Sequence, residues 1–178
     1  MPRLHTQDIS TVTGPAAQLF TAIKGAVGKV PNAYADIGSN SPVALEAALN
    51  LDAALRKSSL KGKQVEAIKL AVSEAVECDY CLAAHSLMAK KLGFSAEAVI
   101  GLRRAEASGD AQLDALTVFV RELVTTRGTV PAASVAAVKA AGYSDAQIVD
   151  TLLVVTAITF TNLFNRVNDT VLDFPAAD

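Results

Sequence analysis

The sequence predicts an all-α fold, a single domain of seven or eight helices. Three observations carry that prediction. The 178 residues include 33 Ala and only 5% aromatics, with no Trp. Ala is the best helix former and is depleted in strands, so this composition suits closely packed helices. Apolar residues recur at helical spacing between frequent Gly, Pro and capping residues. No alternating pattern with hairpin turns occurs anywhere. At 51% hydrophobic and 19% charged, the chain is too apolar for disorder, and it is long enough to bury roughly 70% of its unfolded surface.

The elements follow in order. Residues to about Thr11 read as a loose tail. Gly14-Pro15 opens an amphipathic helix through Leu19, Phe20, Ile23 and Val27 to Gly28, with Pro at its first position. Val30-Pro31-Asn32-Ala33-Tyr34 turns into a short helix. Ser41 caps the next, which Pro42 enters without losing a needed hydrogen bond. Leu60 to Leu92 carries apolar helical positions in two parts and ends at Gly93, a left-handed cap. Ser95 caps a helix through Leu102, and Asp110 opens one closed by Arg127-Gly128. A short Ala-rich helix runs from Pro131 to Gly142. Ser144-Asp145-Ala146-Gln147 is a capping box that starts the long last helix, to about Asp169. Its middle, Leu152 to Phe160, is rich in β-branched residues, but it is capped, long and without a partner strand. Its apolar character on all sides predicts burial against several neighbours, a subunit interface among them.

Charge and cysteine usage narrow the function classes. A formal net charge of −2 and short basic clusters at Lys61/Lys63, Lys90/Lys91 and Arg103/Arg104 leave no nucleic-acid face. The start lacks a signal peptide's charged end and apolar stretch, and Leu152 to Phe160 is short of the ~20 residues that cross a bilayer. Cys78 and Cys81 are the only cysteines, so no secreted disulfide framework exists. The expected setting is cytoplasmic, without a membrane partner, where such a pair is catalytic or metal-binding more often than structural.

One segment gathers the reactive side chains, from Glu74 through Cys78 and Cys81 to His85. On a helix, Cys78, Cys81 and His85 fall at i, i+3 and i+7 and share a stripe. Glu74 joins it if the helix is continuous. If a helix instead begins near Cys78, Glu66 on the preceding helix folds back beside it. A thiol attacks as thiolate, and a helix N-terminus favours that charge on Cys78. The histidine spacing favours Cys81, one turn before His85. A nucleophile, a base and a carboxylate that orients the base form a workable set, and a second Cys converts the oxidised first one into a disulfide. Two thiolates, an imidazole and a carboxylate also make a feasible zinc site. His5 lies in the tail and reads as exposed.

At these residues the sequence resembles the alkylhydroperoxidase AhpD-like and carboxymuconolactone decarboxylase superfamily. Glu74, Cys78, Cys81 and His85 match its Glu-x-x-x-Cys-x-x-Cys-x-x-x-His motif. Glu66 matches a second pattern, with the relay glutamate twelve residues before the first Cys. Gly28-Lys29-Val30-Pro31-Asn32, Ser41-Pro42 and Phe164-Asn165-Arg166-Val167-Asn168 extend the likeness over most of the chain. The resemblance implies an all-helical protein assembled as a dimer, trimer or hexamer. It implies reduction of small hydroperoxides by a Cys pair cycling between dithiol and disulfide, without haem, flavin or metal. The reductant is an external dithiol, lipoamide-like by the resemblance, or a redox partner protein. Members that decarboxylate a muconolactone lack the Cys pair.

The expected activity is therefore a thiol-dependent peroxidase. In the expected cycle Cys81 gives its proton to His85, Glu66 or Glu74 completes the relay, and Cys78 captures the sulfenic acid. Two rivals stand beside it: a decarboxylase-type lyase working through His85 and a Glu, and a non-catalytic module holding zinc through Cys78, Cys81 and His85.

Overall fold

The computed structural model describes residues 1–177. Among them are nine helices and no strands: α1 (Pro15–Val27), α2 (Asn32–Asn40), α3 (Pro42–Leu55), α4 (Gly62–Ala75), α5 (Asp79–Lys91), α6 (Ala96–Arg104), α7 (Ala111–Thr125), α8 (Ala132–Ala140) and α9 (Asp145–Asn168). The caps expected from sequence form. Ser41, Ser95 and Asp110 accept from backbone amides at the starts of α3, α6 and α7, and Ser144 with Gln147 closes the capping box of α9. Each such cap contributes about 1 kcal/mol.

Helix α4 is the axis of the molecule and packs on α5, α6, α7 and α9. Its Ala67, Ile68, Leu70, Ala71 and Val72 are fully buried. One side of it joins Leu116, Phe119 and Val120 of α7 and Val154 and Ile158 of α9, together with both cysteines. Another joins Ala89, Val99, Leu102 and Leu113. A separate cluster of Phe20, Ile23, Ile37 and Leu45 ties α1 to α2 and α3. Gly38 is required there, since a Cβ at that position would lie 2.5 Å from the Phe20 ring. The β-branched run of α9 is helical and meets α2, α3, α4 and α5. Its outer side leaves Val149, Leu152, Phe160, Leu163 and Val167 exposed.

Two expectations need correction. The helix count rises because the segment from Leu60 to Leu92 breaks between Val76 and Cys78. Glu77 adopts a left-handed φ of 54°. Its N–H bonds the Glu74 carbonyl at 3.1 Å, and the Cys78 N–H bonds the Ser73 carbonyl at 3.0 Å. That pair of bonds is a Schellman ending, usually built on Gly. Here Glu occupies the left-handed position, so no glycine marks the stop.

The N-terminal residues are not loose. The Arg3 N–H bonds the Asn168 carbonyl and the Leu4 N–H bonds Asn168 Oδ1, both at 2.8 Å. Thr6 donates its hydroxyl to Asp36 Oδ1 at 2.5 Å, and the Gln7 N–H donates to Ser39 Oγ at 2.9 Å. Asp36 and Asn168 are buried, and a buried carboxylate and amide must find partners. The N-terminal segment supplies them.

Candidate active site

The break before α5 builds the site. With the chain turned at Glu77, Cys78 becomes the N-cap of α5 in extended backbone geometry (φ −98°, ψ 92°). Cys81 stands in the first turn and His85 one turn further. Arg166 of α9 holds the turn by donating to the Val76 and Glu77 carbonyls. These are groups that a helix C-terminus otherwise leaves unpaired.

Both cysteines are free thiols, 1% and 3% exposed. The Cys81 thiol hydrogen-bonds Cys78, and this sets the electrostatics of the pair. Donation from Cys81 pulls the Cys78 thiol down to about 6. Burial opposes it, while Asn162, the Cys81 amide and the Arg166 charge add to it. Cys81 moves strongly upward, because it donates to Cys78, is buried and faces the thiolate; Asn165 and Thr161 offset this only in part. Both shifts favour a thiolate on Cys78, the residue the helix start also favours. The direction of the two shifts favours Cys78 over the Cys81 of the expected cycle.

His85 Nδ1 and Glu66 Oε2 lie 2.8 Å apart, both largely buried. Burial raises the Glu66 carboxyl, but the His85 charge, its hydrogen bond and the Lys69 charge outweigh that and hold it below its ordinary value. With Nδ1–H donated to Glu66, Nε2 is left as the acceptor. Glu74 turns elsewhere and pairs with Arg103 at 2.8 Å. Of the two glutamates weighed in the sequence, the break selects Glu66 as the neighbour of His85. His5 is exposed in the N-terminal segment, remote in sequence from these residues. Among the described residues no three His, Cys, Asp or Glu side chains converge as a metal-ligand set, so the geometry gives the zinc module no support.

Four polar residues beyond the motif reach the thiols. Asn165 Nδ2 donates to Cys81 Sγ at 3.3 Å. Asn162 donates to Ser73 Oγ at 3.1 Å and also acts on Cys78. Thr161 acts on Cys81, and Arg166 on Cys78. Asn162 and Asn165 stand three apart on α9, 2% and 4% exposed, with their Oδ1 atoms unpartnered. Polar residues on one face of an otherwise apolar helix were the available signal. Tyr80, between the cysteines, is a structural anchor. Its hydroxyl donates to Asp173 at 2.7 Å and accepts from the Ala33 N–H at 3.1 Å, and Phe174 meets its ring edge-on.

Two cavities approach the pair and share no lining residue. A polar groove of about 330 Å³ is lined by the buried Cys78 beside Asp79, Asn165, Arg166, Asp169 and Thr170. A chamber of about 230 Å³ lies further along α5. His85, Tyr34, Asp52, Lys69 and Thr161 supply its polar groups, and Ala48, Leu51, Ile158 and Phe160 are among its apolar ones.

Residues 42–121, from α3 into α7, match the carboxymuconolactone decarboxylase family. No curated protein matches the chain by sequence. Its fold is similar to that of a peroxidase-related protein with an alkylhydroperoxidase AhpD core from Ralstonia eutropha JMP134 (18% identity, TM-score 0.86, covering 97% of this chain and 92% of that one). It is also similar to a peroxidase-related protein from Silicibacter sp. TM1040 (22%, 0.81, 95% and 89%). A third similar structure is the debrominase Bmp8, as a Cys-to-Ala variant in complex with 2,3,4-tribromopyrrole (15%, 0.80, 97% and 92%).

Proposed function

We propose that this protein is a thiol-dependent peroxidase. The observation that carries the reading is a pair of free thiols at the N-terminus of α5, beside the hydrogen-bonded His85–Glu66 pair and with Cys78 lining a polar groove. The Cys78 thiolate attacks the terminal oxygen of a hydroperoxide, the O–O bond breaks, and the alcohol leaves with a proton. Cys78 is then a sulfenic acid. Cys81 loses its proton toward His85 and Glu66, attacks the Cys78 sulfur and expels water, closing the disulfide. Two electrons pass from the dithiol to the peroxide. An external dithiol reopens the bond. Homo-oligomers form through the exposed apolar stripe of α9, which sedimentation at graded concentrations would test.

The experiment is consumption of an organic hydroperoxide with a dithiol reductant, wild type against Cys78→Ser. Turnover by the wild type and loss of nearly all of it in the variant are expected. Equal rates would overturn the reading. The lyase alternative leaves both thiols idle. A Cys78→Ser/Cys81→Ser protein that keeps full activity on a cyclic acid would restore it.

A further inference from the structure

Helix α9 carries three buried asparagines at every third position, Asn162, Asn165 and Asn168. We propose that the first two set the redox potential of the cysteine pair: their amide N–H groups, directed at the two sulfurs, favour the reduced form and make the Cys78–Cys81 disulfide easier to reduce. This deepens the peroxidase reading and rests on it only for the closing of that disulfide.

The third asparagine shows what the other two lack. Asn168 accepts the Leu4 N–H on Oδ1 at 2.8 Å, and its Nδ2 donates to Asp36 at 2.7 Å and to Thr170 at 3.1 Å. Both ends of its amide are satisfied, as a buried amide that only joins elements requires. Asn165 donates from Nδ2 to Cys81 Sγ at 3.3 Å, and Asn162 donates to Ser73 Oγ at 3.1 Å and to Cys78. The Oδ1 atoms of both are buried and unpartnered. The fold thus keeps two amides for their N–H groups alone and leaves two carbonyl oxygens uncompensated, a cost that cohesion between helices does not explain. Ser73 of α4 fixes the first of them. Its hydroxyl accepts from Asn162, and its carbonyl accepts the Cys78 N–H at 3.0 Å, so donor and sulfur are held by one residue.

The redox consequence follows from charge. Reduction adds two electrons and breaks the S–S bond; one sulfur takes up a proton and the other is left as thiolate. A thiolate is a strong hydrogen-bond acceptor, whereas the neutral sulfur of a disulfide is a weak one. An N–H directed at each sulfur therefore stabilises the reduced pair more than the oxidised one, whichever sulfur carries the charge. Both sulfurs are buried, so solvent has little access to replace a donor that is removed. Asn162 and Asn165 act through the sulfurs and touch no other reacting atom, which makes them positioning residues.

The test measures the thiol–disulfide equilibrium of the pair in glutathione and dithiothreitol redox buffers at neutral pH. Samples are quenched in acid and read by alkylation of the unfolded protein, so the measurement stands without peroxide turnover. Asn165→Leu, which keeps the side-chain volume and removes the donor, is expected to shift the equilibrium about tenfold toward the disulfide, a potential about 30 mV lower. Asn165→Ala is expected to move it the same way, and the Asn162→Leu/Asn165→Leu protein further. Asn168→Leu is expected to lower stability in urea and leave the potential where it is. An unchanged or higher potential in Asn165→Leu and Asn165→Ala would overturn the proposal. So would an Asn168→Leu shift equal to that of Asn165→Leu, since the asparagines would then act on structure alone. A pair that closes no disulfide at any buffer ratio would overturn it as well. Failure of the peroxidase reading appears separately, as reduced protein that hydroperoxide leaves unoxidised.

Discussion

Removing the Cys81 thiol is the sharpest perturbation of this site, because it leaves one cysteine whose charge can be read alone. Cys78 is held at about 6 against an ordinary 9.0. Donation from Cys81 leads the lowering influences, ahead of Asn162, the Cys81 amide and Arg166. Cys81→Ala deletes the donor, and Cys81→Ser keeps an O–H in its place. The midpoint of Cys78 should rise by a unit or more in Cys81→Ala and by less in Cys81→Ser. At neutral pH roughly nine-tenths of Cys78 is thiolate with the donor in place, and a clear minority once the midpoint passes about 8. Thiolate absorbance near 240 nm, or the pH dependence of alkylation by iodoacetamide, reads this directly. The reasoning is refuted if the Ala and Ser variants titrate together. It is also refuted if Cys78→Ser, with Cys81 alone, shows the low midpoint. The pH profile of peroxide reduction carries the same sign, falling as pH drops through about 6, where Cys78 takes up its proton.

Three further predictions address the supports of the site. Glu66→Gln should lower turnover about tenfold or more by weakening the base, whereas Glu74→Gln should cost only the Arg103 pair, about 1 kcal/mol or less in urea unfolding; equal effects on turnover would show that the relay is misassigned. Arg166→Leu leaves the Val76 and Glu77 carbonyls without their donor and should lower stability by about 1–3 kcal/mol, while raising the Cys78 midpoint in the alkylation profile. Thr6→Val deprives buried Asp36 of a donor and should cost about 1–3 kcal/mol in denaturant unfolding; an unchanged midpoint would mean that the N-terminal segment contributes nothing to the fold.

Much of this architecture is written locally. Ser41, Ser95, Asp110 and Ser144 mark their helix starts because each cap is a contact within three residues. The thiol pair and His85 are legible for the same reason, being neighbours on one helix. What the sequence leaves open depends on distance or on an unmarked turn. The choice between Glu66 and Glu74 hangs on Glu77, a left-handed residue that is not glycine. Asn162 and Asn165 reach the sulfurs from more than 80 residues away, and nothing in their surroundings on α9 says which helix they will face. The N-terminal segment reads as loose because its partners, Asp36 and Asn168, are polar residues whose burial only tertiary packing reveals.

The left-handed turn at Glu77 also separates two things that the motif spells as one. Cys78, Cys81 and His85 keep their mutual spacing whatever precedes them, since all three ride on α5 and its cap. Their alignment with Glu66 is a property of the joint alone. One added residue at that joint would rotate the cassette against α4 as a unit, parting base from carboxylate while the two sulfurs stay in register. The spacing of the two thiols and the pairing of His85 with Glu66 are thus separately adjustable, through a hinge three residues long.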